Sequence, residues 1–324
     1  MNRGKVLSVN LVFLITVIFS IFGAFLNSYI GLFTDNYFIL LLSSQIILII
    51  PSLIYIIKND LNLSKIICFK RISFGNLILL ILFSYLITPL MTFINALSMI
   101  FVDNSTLDFM ENIIGNNGLF LSLVIVALIP AILEETVYRG IFYNEYRKVN
   151  PLKAIFLSAF LFGIIHLNVN QFTYAFAMGI VFALTIEATD SILSTMIIHF
   201  FINATSVMTL HVLPYIMKAL EKLMVSMELN PEEHLATIES GVDEILNFPF
   251  VMKTYFLPAI ISTVLAFVVY RTIAKNSNRW EHVKGIFTKK TKEGKLISGS
   301  LIVAILICIV LMIVQEIVIK LNLI

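Results

Sequence analysis

The sequence predicts an all-α, polytopic membrane protein with about nine membrane helices, and three observations lead there. Of its 324 residues 59% are hydrophobic and only 13% are Asp, Glu, Lys or Arg, about half the roughly 25% charged share of an ordinary soluble domain. The apolar residues come in uncharged runs of about 20, the length that crosses roughly 30 Å of hydrocarbon. The basic residues between those runs gather in alternate segments. This composition argues against nucleic-acid binding, a secreted disulfide scaffold and a disordered chain. Cys68 and Cys308 stand far apart, outside any CxxC or Cys/His cluster, so they suggest neither a disulfide framework nor a thiolate metal site.

The runs cover about 8–33, 37–57, 74–102, 118–146, 151–168, 171–188, 190–211, 252–273 and 297–319. The first follows Arg3 and Lys5 and meets no charge before Asp35, which is longer than the roughly 7–15 residues of a signal-peptide core. It reads as a membrane helix. The fifth and sixth are short and separated by Asn168, Asn170 and Gln171. After the seventh, Pro214 can start an amphipathic helix, and Asn230-Pro231-Glu232-Glu233 reads as the N-cap and acidic first turn of another. Segment 275–295 is basic and polar and reads as a solvated loop near anionic headgroups.

Lys and Arg are concentrated in the N-terminal tail and in 58–71, 139–153 and 271–295, which together hold 18 of the 22. Nine crossings put all four segments on one side. Acids dominate the alternate loops, including seven between Glu221 and Glu244. By the positive-inside rule the N-terminus is cytoplasmic and the C-terminus external. The expected organisation is three membrane helices with an external loop (1–117), a four-helix core (118–211), an external amphipathic segment (212–250), and two final membrane helices joined by a basic loop (251–324). The Asn-, Ile- and Lys-rich composition suggests a bacterial cytoplasmic membrane.

Ionisable groups inside hydrocarbon are costly and therefore functional candidates. They fall in four consecutive runs: Glu134, Glu135 and Arg139 in EETVYRG, His166 in FGIIH, Glu187 and Asp190 at the end of the sixth run, and His199 with Asn203 in HFFIN. At 1.5 Å per residue, Glu134 lies roughly 18 Å from the basic end of its run, His166 roughly 22 Å and His199 roughly 14 Å. Three helices thus bring a Glu, two His and an Asn near one buried plane. Glu135 and Arg139 are i, i+4 in the favourable order for an ion pair. Glu134 is rotated about 100° away and has no local partner, which raises a carboxylate's pKa and suits a general base. His199 and Asn203 share a face and could donate to an oxyanion, while His166 could share a water with Glu134. Glu187 and Asp190 are expected to be solvated at a membrane face, and His211, His234 and His282, in or beside polar loops, carry no signal.

With these motifs in hand, the sequence resembles the CPBP intramembrane proteases, also called the Abi or CAAX-protease family, which includes the Ras-converting CAAX endopeptidase. Glu134-Glu135 with Arg139, Phe162 with His166, and His199 with Asn203 match the family's three motifs in order. The likeness covers roughly 118–210. It implies an endopeptidase acting on membrane-associated peptides or proteins, with Glu134 and His166 activating water and His199 and Asn203 holding the oxyanion. Glu134, His166 and His199 could instead hold a zinc ion with an open water site, although no HExxH is present. A bacterial host makes a leader peptide, pheromone or bacteriocin precursor a more natural substrate than a prenylated CAAX protein. The rival readings are a non-enzymatic scaffold or bacteriocin self-immunity protein, and a proton-coupled transporter, which should show an internal repeat; none is found.

Overall fold

A computed structural model describes residues 3–34, 36–59, 69–102, 107–227, 248–288 and 294–321, and among these every regular element is a helix. Among the described residues eight helices are long and apolar enough to cross a membrane, and the chain is an all-α, multi-pass membrane protein. Helices α1 (Arg3–Gly31) and α2 (Tyr37–Lys58) pack against each other, and α1 also meets the last helix, α13 (Gly299–Lys320). Helix α3 (Phe74–Met99) packs on the later core and on α11 (Leu257–Asn276). The core itself is a broken helix from Leu107 to Tyr146, followed by α7 (Pro151–Ile164), α8 (Val169–Thr189) and α9 (Ile192–Ser226).

The one expected span that is not among the eight is the fifth, and it is short. Helix α7 has 14 residues, a rise of about 21 Å, which falls short of roughly 30 Å of hydrocarbon. Caps fix the start of each arm of a hairpin. Asn150 accepts from the Lys153 N–H (2.9 Å) beside Pro151 at the start of α7, and Asn168 accepts from the Gln171 N–H (2.9 Å) at the start of α8. Irregular backbone at membrane depth is tolerated where protein buries it, and Ile165 and Asn168 in the turn are buried. The two helices approach almost backbone to backbone: a Cβ on Gly179 would stand 2.7 Å from the Cα of Ala159. This contact is what carries the turn, and His166 with it, into the protein.

The described parts of the four basic segments, or residues beside them, meet at one end. Tyr146 donates to Asn10 (2.6 Å), Asn10 donates to the Leu296 carbonyl (2.8 Å), and Asn76 donates to Ser277 (3.1 Å). Arg147 and Arg279 reach Glu187 and Asp190 at the same end. The hairpin of α7 and α8 begins and ends there, so the short α7 leaves the alternation of segments intact.

Two boundaries differ from the sequence expectation. Helix α9 does not stop near residue 211; it runs through Pro214 to Ser226. A proline removes one i→i−4 bond, and the helix-forming apolar turns on either side carry the helix past it. The second external helix expected after Asn230 lies outside the described residues. Segment 275–295 is not simply a loop, because Trp280–Thr288 forms a helix, α12, that buries Val283 and Ile286.

Candidate active site

The broken helix is built around one proline, its glycines and two adjacent glutamates. Helix α4 (Leu107–Ser122) kinks at Gly118 (φ 70°, ψ 166°), a conformation that a side chain would strain. Wide π-helical turns follow at Leu123–Leu128 and again at Thr136–Tyr143, and the single α-helical stretch between them, α5 (Ile129–Glu135), carries both glutamates. Such π turns recur at functional sites because they re-aim side chains. Pro130 has no N–H to offer the carbonyl four residues back, which is Val126. Asn203 of α9 donates to that carbonyl instead, at 3.1 Å.

Glu135 is fully buried, and its Oε1 accepts from Arg139 Nη1 (3.0 Å) and from His199 Nδ1 (3.0 Å). The i, i+4 ion pair expected from the sequence is therefore present, with His199 as a partner that helical periodicity could not show. The Arg139 guanidinium lies 4.3 Å from the ring centroid of Phe162 and 4.8 Å from that of Phe182, a cation held between two π faces. His199 stacks on Phe182. Phe162 also explains its spacing from His166: His166 Nδ1 is 2.8 Å from the Phe162 carbonyl. Because a carbonyl or carboxylate oxygen only accepts, both histidines donate through Nδ1 and keep Nε2 for other work.

Glu134, His166, His199 and Asn203 all line one cavity of about 440 Å³. Glu134 points away from the Glu135 pair, as the helical rotation implies. It accepts from Gln45 of α2 at 3.2 Å, and its Oε2 is 3.9 Å from His199 Nε2. Gln45 had no sequence signal beyond being a polar residue inside an apolar run, 89 positions from its partner. Asn170 and Asn95 also line the cavity. Among the described residues neither amide atom of Asn170 has a hydrogen-bond partner, nor does Asn95 Oδ1. A buried polar atom left unpaired costs about 1–3 kcal/mol.

Among the described residues no group of three His, Cys, Asp or Glu side chains comes close enough to hold a metal ion. Glu134, His166 and His199, as placed, do not form such a set.

Glu187 departs from the expected solvated position. It is 2% exposed and accepts from Tyr143 (2.8 Å), Arg147 (3.1 Å) and His282, with Arg279 3.7 Å away. His282, silent in the sequence, is thus part of a polar knot that ties α8 to the basic end of the molecule. Asp190, in the left-handed conformation that ends α8, pairs with Lys70, Arg147 and Arg279. Partial burial pushes its carboxyl up, but the hydrogen bond from Lys70 and the charges of Arg279 and Arg147 outweigh this and hold it below its usual value.

Fold and site together define a helical membrane protein with a half-buried carboxylate, two histidines and an asparagine around one cavity. Residues 116–205 match the family model described as "Type II CAAX prenyl endopeptidase Rce1-like", the segment that carries all three motifs. The match agrees with the CPBP, or CAAX-protease-like, resemblance and points to a protease. No curated protein and no solved structure matches the chain.

Proposed function

We propose that this chain is an intramembrane endopeptidase that hydrolyses a peptide bond in a membrane-associated peptide or protein. The observation that carries the reading is the meeting of Glu134 from α5, His166 from the turn between α7 and α8, and His199 and Asn203 from α9 on the wall of one cavity. Glu134 takes a proton from water as its oxygen attacks the peptide carbonyl. The carbonyl oxygen becomes an oxyanion. When the intermediate collapses, the C–N bond breaks and Glu134 returns the proton to the leaving amine. His166, with Nδ1 donating to Phe162, accepts from the same water through Nε2. His199, with Nδ1 donating to Glu135, donates to the oxyanion through Nε2 when its imidazole is doubly protonated. Asn203 has a second Nδ2 hydrogen for the same oxyanion. In a site shielded from bulk water such preorganised donors act strongly.

The substrate class is a prenylated CAAX-like peptide or, in a bacterium, a leader peptide, pheromone or bacteriocin precursor. The end that carries Arg147 and Arg279 is cytoplasmic in this reading. The test compares membrane and secreted peptides from cells with the native protein and with Glu134→Ala. At least one precursor should persist in the variant while its fragment disappears. Identical peptide inventories would contradict the proposal and favour a binding or immunity role.

A further inference from the structure

We infer that Asn170 holds the substrate backbone, pairing through its carboxamide with both the N–H and the C=O of one extended residue beside the bond to be cut. The inference rests on the peptidase reading above and adds a substrate-binding residue to it. Asn170 is the second residue of α8 and is 1% exposed, and both Nδ2 and Oδ1 lack a partner within the protein. Its local duties are taken by others, since Asn168 caps the helix. Buried polar groups are paired in the great majority of cases, and an idle carboxamide calls for an explanation.

Asn170 lies in the wall of the cavity that Glu134 and His166 also line. No group of the described residues reaches either amide atom, so the complement arrives with whatever fills the cavity. That complement is an acceptor and a donor side by side. A prenyl or acyl chain offers neither. An extended peptide residue offers both on one side, which is why opposed residues in an antiparallel ladder exchange two hydrogen bonds. Asn170 would stand in for one such residue. Asn95 of α3, lining the same cavity with an unused Oδ1 and with Nδ2 on the Met99 sulfur at 3.4 Å, offers one more acceptor to a peptide N–H.

The experiment uses the purified full-length protein and a farnesylated Cys-aliphatic-aliphatic-X peptide as probe. Versions of the probe with successive backbone amides replaced by esters each remove one N–H. Asn170→Leu and Asn170→Ala should reduce kcat/KM by roughly 10–100-fold, the worth of two hydrogen bonds. Asn170→Leu should melt at or above the native temperature, because it removes an unpaired amide without removing volume. One ester position should slow the native protein while adding little in Asn170→Leu, the signature of a direct contact. Melting temperatures lowered by several degrees in both variants would assign Asn170 a structural role. Unchanged kcat/KM, or an undiminished ester effect in Asn170→Leu, would overturn the inference alone. A probe left intact by the native protein would rule out a CAAX-type substrate, and the same comparison is then made on the precursor that persists in Glu134→Ala cells; a probe cut equally well by Glu134→Gln would overturn the peptidase reading and this inference with it.

Discussion

Glu135→Gln should damage the fold rather than the chemistry alone. The glutamine oxygen can still accept from Arg139 Nη1 and His199 Nδ1, each 3.0 Å from Oε1 in the native protein, and Oε2, where the amide nitrogen would sit, has no partner to lose. What disappears is the charge. Arg139 is 1% exposed and would be left as an uncompensated buried cation, a change that costs about 3–5 kcal/mol. The rings of Phe162 and Phe182 remain, and a cation over a ring face is worth about 0.5–2 kcal/mol. The loss should therefore fall near the low end, about 3 kcal/mol, or a fall in Tm of roughly 6–12 °C. Thermal unfolding of the purified variant in detergent measures it. Glu135→Gln combined with Arg139→Met, which removes the stranded charge and keeps much of the volume, should recover part of the loss. A single variant as stable as the native protein, or a double variant less stable than the single, would refute the ion-pair argument.

Gly179→Ala should destabilise by about 1–3 kcal/mol through overpacking against Ala159, while Gly115→Ala, which meets nothing within 4 Å, should be neutral or stabilising by up to about 1 kcal/mol; equal melting temperatures would contradict the tight α7–α8 contact. Asp190→Asn should cost about 1 kcal/mol at neutral pH, since the carboxylate and its partners are partly exposed. Because folding lowers the Asp190 pKa, its contribution is present above the unfolded value near pH 4 and is lost as pH falls through the folded value; a stability gap that widened in acid would contradict that sign. For topology, single cysteines at Ser105 and Ser240, both outside the described residues, in a background lacking Cys68 and Cys308, should react with an impermeant thiol reagent on intact cells. One at Ser277 should be protected until lysis, and labelling at Ser277 alone would invert the orientation.

Local patterns in the sequence carried much of this molecule. Uncharged runs located the long helices, and i, i+4 spacing found the Glu135–Arg139 pair and the separate facing of Glu134. Spacing failed where contacts are distant or where a boundary is set by packing. Gln45 reaches Glu134 from another helix, and His282 reaches Glu187 across 95 positions; no periodicity reports either. Pro214 looked like a helix start because proline favours a first turn, yet it sits inside α9. The shortness of α7 was half visible in the polar cluster Asn168, Asn170 and Gln171. The amphipathic pattern of Trp280, Val283 and Ile286 was also present in the sequence, but the surrounding charges masked it.

The central claim is that Glu134 is the base that activates water. It is tested most directly by the cleavage rate of purified native protein and Glu134→Gln on one peptide, either the farnesylated probe or a precursor found in the cellular comparison. The substitution keeps size and an acceptor for Gln45 but cannot take a proton. The Tm should stay within a few degrees while kcat falls by roughly 10²–10⁴-fold. A well-folded Glu134→Gln protein that cleaves at the native rate would contradict the assignment.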